Sequence, residues 1–321
     1  VQTCALPIFV VVVFVAIAAP WLSPNDPDRR YPDLLYAPPT SLHFGGDTPG
    51  LHIHPWRLVS RLERTFEQDR ARPTPLRWFS DGRLVTTEDS APLLLLGADA
   101  YGRDIFARML HGTRLTVGLA VIATLLAMLI GAVVGGVAGF AGGWLDEMLS
   151  RSSDFVLVLP VTYAVLALRA VMPLVLPAST VFVLLAAIFG LVGWPAIARP
   201  IRGILASERE REYAMAARAL GASPLRVFGR HLLPSAYSHL FTQGTLLLPG
   251  FILAEATLSY VGLKFPDAVP TWGTMLHDAS NGALIAEAPW MLAPAAAIFV
   301  VVLAVNLLVQ GSGRAPVQLE R

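Results

Sequence analysis

The sequence has few charged residues and a single lysine. Only 15% of its 321 residues are charged, whereas soluble domains carry about 25%. Because 55% of the residues are hydrophobic as well, the composition predicts a membrane protein. A net charge of +1 gives no overall positive field, so no nucleic-acid partner is predicted.

The single lysine also excludes a nucleotide-binding P-loop. That motif requires Gly-Lys followed by Ser or Thr, whereas Lys264 lies between Leu263 and Phe265. Energy from ATP must therefore come from a partner. The chain is predicted to be a transport subunit rather than an enzyme, with no cofactor or metal of its own.

Cysteine is nearly absent too. Cys4 stands alone, so the chain forms no internal disulfide. It lies in the opening VQTCALPI, which resembles the translation of a sequencing adapter, and we expect residues 1–8 to be an assembly artefact. On that interpretation, residues 9–22 are a first transmembrane helix that has been truncated.

Long apolar runs are plentiful, and a helix that crosses the hydrocarbon core needs roughly 20 apolar residues. The intervening segment 23–114 is polar and rich in Pro, Asp and Arg, which is typical of an extramembrane region with irregular or β structure. The sequence predicts an all-α polytopic membrane protein with six transmembrane helices and an extracytoplasmic insert between the first two. The predicted spans are residues 9–22, 115–140, 154–172, 178–198, 240–263 and 289–310.

Arginines in the short loops set the predicted orientation, because basic residues accumulate on the cytoplasmic side. Loop 199–236 contains seven arginines, whereas loop 264–288 contains one lysine against three acids. Loop 199–236 and the tail 311–321 are therefore predicted to be cytoplasmic, and 23–114 to lie outside. Residues 115–310 form the transmembrane domain between them.

Three glycines of the second span recur every four residues. Gly131, Gly135 and Gly139 form a doubled GxxxG pattern, which exposes bare backbone on one helix face and favours close helix packing. Scattered small residues in an apolar helix are the alternative interpretation. Both concern packing rather than chemistry.

The arginine-rich loop carries the signals of two short helices around a glycine. Ser207 followed by three acids suits a helix start. Gly221 suits a left-handed helix end, and Ser223 with Pro224 suits a second start. Pro234 is predicted to stop the second helix.

The first of these helices carries a stripe of small residues with an aromatic residue at one end. Tyr213, Ala216, Ala217 and Leu220 share this stripe at helical spacing, which suits a partner that docks closely. A basic helix resting on anionic lipid headgroups would account for the same arginines. Composition does not separate the two.

The run EREYAMAARALGASPLRVFGRHLLPSA (210–236) resembles the EAA loop of ABC-importer permeases. The family pattern is E-A-A, three residues, G, nine residues, then I-x-L-P. Met215 stands where the pattern has Glu, and His231 where it has Ile. The resemblance assigns ATPase coupling to Tyr213, Met215, Ala216, Ala217, Arg218, Gly221, Leu233 and Pro234.

Further motifs extend the resemblance over residues 93–310. LGADAYGRD in 96–118 is similar to the LGTDxxGRD entry of the dipeptide, oligopeptide and nickel importers, and ILAEATLSYVGL and PTWGTML are similar to later landmarks. The resemblance implies a heterodimeric pore made with a second permease subunit. It also implies two ABC ATPases that bind ATP and Mg, a solute-binding protein outside, and a multi-pass location in the bacterial inner membrane.

Ionisable residues at membrane depth are candidates for a translocation path. Glu255 lies in the fifth span, where a pore-lining or an interhelical hydrogen-bonding role are the two possibilities. Arg169 lies late in the third span, where snorkelling is the alternative. An ion-coupled secondary transporter that uses both as a relay is the rival function.

The remaining alternative function depends on histidines in the polar segment. His52 and His54 would share one face of an extended strand, but no Cys lies nearby and the acids are distant, so no metal site is predicted. A polytopic membrane enzyme with a histidine metal site is correspondingly disfavoured. Asp99, Arg103 and Asp104 are expected at a capped helix entry on the outer side.

Substrate identity stays open at this level. The resemblance allows peptides, nickel complexes, sugars and opines, with selection largely in the binding protein. Residues 43–92 form a longer insert than the commonest members have, and contact with the binding protein is the hypothesis for it.

Overall fold

Helices dominate the computed structural model, which describes residues 2–45, 50–160, 163, 176–261, 265–266, 268–280 and 282–312. The chain divides into two compact units. The first combines Val1–Gly118 with Leu253–Ala304, and the second combines Leu119–Ile252 with Val305–Arg321.

The first described helix begins at Gln2 and the last ends at Ser312. A three-residue helical turn, Pro224–Arg226, leads into a π-helix, Val227–Leu232, and a 3₁₀ turn, Pro289–Leu292, precedes the last helix. The helices are α1 Gln2–Leu22, α2 Ile105–Ala141, α3 Gly143–Val158, α4 Ala178–Glu208, α5 Glu212–Ala219, α6 Leu233–Tyr260, α7 Trp272–Asp278, α8 Gly282–Glu287 and α9 Ala293–Ser312.

Three of the described helical stretches are long and apolar enough to cross a membrane: Ile105–Ala141, Ala178–Glu208 and Pro289–Leu307. They contain the predicted second and fourth spans and residues 289–307 of the predicted sixth span. The described apolar part of α1, Val11–Leu22, is shorter than a span needs. Most of the predicted third span, 154–172, lies outside the described residues.

The predicted fifth span, 240–263, falls on α6 as far as Tyr260. This helix does not reach the hydropathy of the three apolar stretches, since polar residues such as Gln243 and Glu255 interrupt it. The count of six spans therefore stays a prediction.

Helix α2 begins at Ile105, ten residues before the predicted start of the second span. Asp104 caps it, because its Oδ1 accepts the Phe106 backbone N–H at 2.9 Å. With 37 residues at 1.5 Å each, α2 is about 55 Å long and exceeds the bilayer core. The helix therefore includes residues 105–114, which the sequence analysis assigned to the extracytoplasmic segment and its capped entry.

Short antiparallel strands occupy the segment predicted to contain β structure. The strands are β1 Leu42–Phe44, β2 Leu51–Ile53, β3 Trp56–Ser60, β4 Thr65–Gln68, β5 Thr74–Pro75, β6 Arg77–Ser80 and β7 Arg83–Thr86. Among the described residues they form three sheets, with orders β1–β2–β5, β3–β4 and β6–β7. In the first sheet, Leu42 pairs with Ile53 and His43 with His52.

The three spaced glycines of α2 face α4. A Cβ added at Gly131 would lie 2.7 Å from the Cβ of Ile197, and one at Gly139 would lie 2.6 Å from the Arg202 carbonyl oxygen. At Gly135 the added Cβ would collide with the Ala198 backbone. Side chains at these positions would separate the two helices, so the close approach depends on glycine.

Candidate functional site

The coupling segment, residues 209–234, turns at Gly221. This glycine has φ +81°, the left-handed conformation predicted for it. Ser223 then caps the next turn, with its side chain accepting the Arg226 backbone N–H, and Pro224 occupies the first helical position. These three local predictions are confirmed.

The predicted helix start at Ser207 is wrong. Ser207 lies inside α4, which continues to Glu208, and α5 begins only at Glu212 after Arg211. Residues 204–208 (ILASE) are mostly good helix formers, so α4 continues past Ser207 instead of starting there. A serine is tolerated inside a helix when its neighbours favour helical structure. Glu208 instead receives the Tyr213 hydroxyl at 2.5 Å and pairs with Arg211 at 3.0 Å.

The predicted stop at Pro234 is also wrong. The π-helix Val227–Leu232 runs directly into α6, and Pro234 is the second residue of that helix. A wide π turn removes the regular i to i−4 bonding that proline would break, so the helix continues through it. The coupling segment is therefore covalently continuous with a helix that reaches Tyr260.

Apolar side chains lie exposed on both sides of Gly221. Leu220 is 88% exposed and Leu225 is 84% exposed, and Met215 and Tyr213 are exposed as well. Ala214, Val227 and Leu232 are fully buried and attach the segment to its own unit. Of the other predicted positions, Ala216, Arg218 and Pro234 are exposed, and Ala217 and Leu233 are half-buried; the His231 side chain lies outside the described set.

Acids on α3 hold the arginines that precede the coupling segment. Arg202 donates its Nη2 to Asp146 at 2.7 Å, and this hydrogen bond lowers the pKa of the Asp146 carboxyl. Arg199 pairs with Asp154. Both arginines were predicted in a loop, but they lie on α4, and the two acids were not predicted as their partners. The paired residues are 45 and 56 positions apart, so no local pattern in the sequence signals the contact.

Arg209, the first residue of the coupling segment, caps the C-terminal end of α2. Its Nη1 donates to the Phe140 carbonyl oxygen at 3.2 Å, next to the end of that helix. A cation at a helix C-terminus is favourable because it meets the negative end of the helix dipole. The coupling segment is thus attached directly to α2, and it follows α4, which ion pairs hold against α3.

Glu255 is the centre of a buried polar cluster, which we name the Glu255 hub. The residue is 1% exposed. Its carboxyl group accepts hydrogen bonds from the hydroxyls of Thr271 at 2.7 Å, Ser259 at 3.0 Å and Thr116 at 3.3 Å. The donors come from α2, from α6 and from the residue that precedes α7, so one side chain joins three segments.

The start of α7 is fitted closely against this hub. Thr271 forms a capping box with Thr274, and the Trp272 backbone N–H donates to the Thr116 hydroxyl at 3.1 Å. A Cβ at Gly273 would lie 2.6 Å from Glu255 Oε1. This geometry favours the interhelical alternative for Glu255. Arg169, the other predicted path residue, lies outside the described residues.

A second buried polar cluster lies at the entry to α2. Arg103 and Arg108 are each 1% exposed, and Arg103 Nε donates to Asp99 Oδ2 at 2.7 Å. Asp104 is fully buried, and its Oδ2 accepts the Asn25 amide at 2.8 Å. Burial raises the pKa of Asp104 to about 6. The expected capped entry is therefore a packed charge network.

Comparison with known families decides the class of protein. A family model described as the binding-protein-dependent transport system inner membrane component matches residues 127–315. The chain belongs to this family. It is the permease subunit of an ABC importer, and it is membrane-embedded. Membership favours this function over the ion-coupled transporter and the membrane enzyme.

Relatives of this permease are named for peptides. A putative peptide permease protein of Brucella ovis is 35% identical over 67% of this chain and 70% of its own length. The oligopeptide transport system permease protein OppC of Bacillus subtilis is 34% identical over 67% of the chain and 68% of its length. The di/tripeptide transport system permease protein DppC of Pseudomonas aeruginosa is 29% identical over 94% and 82%.

Among solved structures, the permease is similar to a chain of the MetNI methionine ABC transporter in an inward-facing conformation. The TM-score is 0.48 at 18% identity, covering 63% of this chain and 95% of that chain.

Proposed function

We propose that this permease subunit moves peptides or a related small solute, nickel complexes included, across the bacterial inner membrane. The names of its relatives support a peptide class. The substrate is delivered by a solute-binding protein outside the cell, so selection lies largely in that partner.

The pore is a heterodimer with a second permease subunit, and two ABC ATPases dock beneath it. ATP and Mg bind in those ATPases, since no P-loop stands in this sequence. Closure of the ATPases on ATP biases the permease between inward- and outward-facing states, which requires different contacts in the two states.

The orientation follows the arginine count. Segment 199–236 and the tail 311–321 face the cytoplasm, and the strand-containing segment before α2 faces outward. In this proposal residues 43–92 of that segment contact the binding protein. The transmembrane domain extends from α2 to residue 310.

The exposed leucines beside Gly221 are the observation that carries the coupling role. Leu220 and Leu225 stand in a stretch with four arginines, which belongs in water rather than in the hydrocarbon core. Large apolar side chains in such a place mark an interaction surface. An ATPase that covers them would move the segment, and α6 would carry the motion because it is continuous with it.

Glu255 then acts as a positioning residue rather than as a relay. Its three hydroxyl donors hold α7 against α2 and α6, so these segments move together. A translocation path that also includes Arg169 remains a separate prediction.

The turn at Gly221 provides the test. Val at this position is strained by the positive φ although no atom lies within 4 Å of the added Cβ. Gly229, eight residues on, also has no atom within 4 Å and has no positive φ, so Gly229→Val is the matched control. Both variants would be expressed with the second permease and the ATPases and purified from membranes.

We expect Gly221→Val to lower peptide-stimulated ATPase activity and peptide uptake at least tenfold, with normal amounts of permease in the membrane. Gly229→Val should keep both activities near the parent level. Coupled uptake that survives Gly221→Val, or a purified complex that contains no ATPase subunit, would contradict the coupling role.

A further inference from the structure

Strand β3 has an open edge that borders a cleft. Among the described strands β3 pairs with β4 alone. A cleft of about 630 Å³, which we name the β3 cleft, is lined by the consecutive residues 55–59 and by no residue of β4. Neighbouring side chains of a strand point to opposite faces, so one cleft touches all of these residues only by running along the edge of the strand. The β3 cleft therefore follows the edge of β3 that faces away from β4.

The backbone pattern leaves hydrogen-bonding groups on that edge. The Asp69 backbone N–H donates to the Pro55 carbonyl oxygen at 2.9 Å, so position 55 is hydrogen-bonded across the ribbon. In an antiparallel pair, such positions alternate with positions whose N–H and C=O point outward. Trp56 and Leu58 occupy the outward positions, and no described segment pairs with their backbone. An unpaired edge of this kind is a template for a further strand.

One positive and one negative side chain of the cleft wall are left over for a ligand. Among the described residues, the Arg57 guanidinium has no ion-pair partner, and the Asp69 carboxylate accepts only the Ala71 backbone N–H, at 3.2 Å. The other charges of the wall form ion pairs within the chain: Arg61 with Asp33, Arg72 with Glu88, and Asp89 with Arg29.

The two remaining charges are spaced like the ends of a short peptide. Asp69 lies opposite Pro55, two strand positions and hence about 7 Å from Arg57. An extended peptide of two or three residues spans about 7–10 Å between its ammonium and its carboxylate, which the long Arg57 side chain can reach.

We propose that the β3 cleft binds a free peptide of two or three residues as an added strand beside β3, an inference that rests on the proposed peptide class and outward orientation. The backbone groups of Trp56 and Leu58 pair with the peptide backbone, which recognises peptides of many sequences. Asp69 receives the ammonium group and Arg57 the carboxylate. The volume lies within the range of small-ligand sites, about 300–1,000 Å³. The cleft is thus a peptide site apart from the translocation path.

The backbone of Leu58 provides the first test, with radiolabelled trialanine as the probe and the permease–ATPase complex in nanodiscs. Leu58→Pro removes the outward N–H, and proline is tolerated at a strand edge. Leu58→Ala is the matched control, because it loses the same side chain and keeps the N–H. We expect Leu58→Pro to weaken trialanine binding at least about tenfold and Leu58→Ala to bind several-fold more tightly than Leu58→Pro.

Modified peptides test the same pairing without changing the permease. Two trialanines carry one backbone N-methyl group, on the second or on the third residue. Because successive N–H groups point to opposite sides of a strand, we expect one of them to bind the parent at least about tenfold more weakly and the other to bind like trialanine. Equal affinity of the two N-methyl peptides would overturn the strand pairing.

The charged ends are tested by pairing a variant with a modified peptide. Asp69→Asn and N-acetylation of trialanine remove the same contact, so each should weaken binding and the two together should weaken it no further. Arg57→Gln and trialanine amide form the second such pair. Additive losses in both pairs would overturn the assignment of the two ends.

Peptide uptake with the binding protein present separates failure of the cleft from failure of transport. Equal trialanine binding by Leu58→Pro and Leu58→Ala, with uptake intact, would overturn the cleft site alone. A parent complex that takes up no peptide would contradict the proposed function instead. If trialanine does not bind and Leu58→Pro weakens binding-protein association, a segment of that protein covers the edge, which would also overturn the inference.

Discussion

The Glu255 hub buries polar side chains, whereas the coupling segment exposes apolar ones. In the hub a carboxyl group and three hydroxyls are buried, and they satisfy one another within the chain. In the coupling segment two leucines are exposed among arginines. A polar group that is buried and satisfied stabilises its own fold, whereas an apolar group left in water indicates a surface for another subunit.

This contrast predicts where a substitution should affect folding and where it should affect assembly. Changes at packed or hydrogen-bonded interior positions should lower stability before they alter coupling. Changes at the exposed leucines should do the reverse.

The largest effect is expected at Gly135. Leu at this position would drive its side chain into the Ala198 backbone and separate α2 from α4, and overpacking against rigid backbone exceeds the usual cost of about 1–3 kcal/mol. We expect almost no folded permease by fluorescence-detected size exclusion. Gly118→Leu, on the same helix with no atom within 4 Å of the added Cβ, should fold normally; equal yields of the two would disprove the packing argument.

Removal of the Glu255 carboxyl group should cause the next largest loss of stability. Glu255→Ala leaves three buried hydroxyls without their acceptor, at about 1–3 kcal/mol for each unsatisfied group. A loss of at least about 3 kcal/mol should lower the melting temperature of the purified complex. Glu287→Ala removes a carboxylate whose side chain is 69% exposed and should change the melting temperature little. A similar small change at Glu255 would mean that the hub does not hold α7.

Asp104 makes the stability depend on pH. Burial raises the pKa of its carboxyl from 3.8 to about 6. The folded chain therefore binds a proton that the unfolded chain has released, so the stabilising contribution is complete below pH 3.8 and is lost as pH rises through 6. The difference is about 3 kcal/mol. Unfolding of Asp104→Asn, followed between pH 4 and 7, should show a flatter profile than the parent, and an unchanged profile would refute the assignment.

Local sequence signals predicted the turn at Gly221 and the cap at Ser223, because those conformations depend on a few neighbouring residues. The same reasoning failed at Ser207 and Pro234, where the flanking helices α4 and α6 override a local stop signal. The partners of Glu255 were out of reach, since Thr116 and Thr271 are distant in sequence and only the packing of three segments brings them together.

The smallest effect on stability is expected at Leu225. This side chain is 84% exposed, so Leu225→Ala should change the free energy of unfolding by no more than about 0.5 kcal/mol. If an ATPase covers it, the same change should weaken ATPase association by at least about tenfold, as truncation at an interface centre does. Leu232→Ala is the matched control, because this leucine of the same segment is 0% exposed and its truncation should cost about 2–5 kcal/mol of stability. Titration of ATPase subunits against permease in nanodiscs, alongside thermal melts, measures both quantities. If Leu225→Ala lowers stability as much as Leu232→Ala, or leaves ATPase affinity unchanged, the exposed leucines are not a docking surface and the contrast with the Glu255 hub fails.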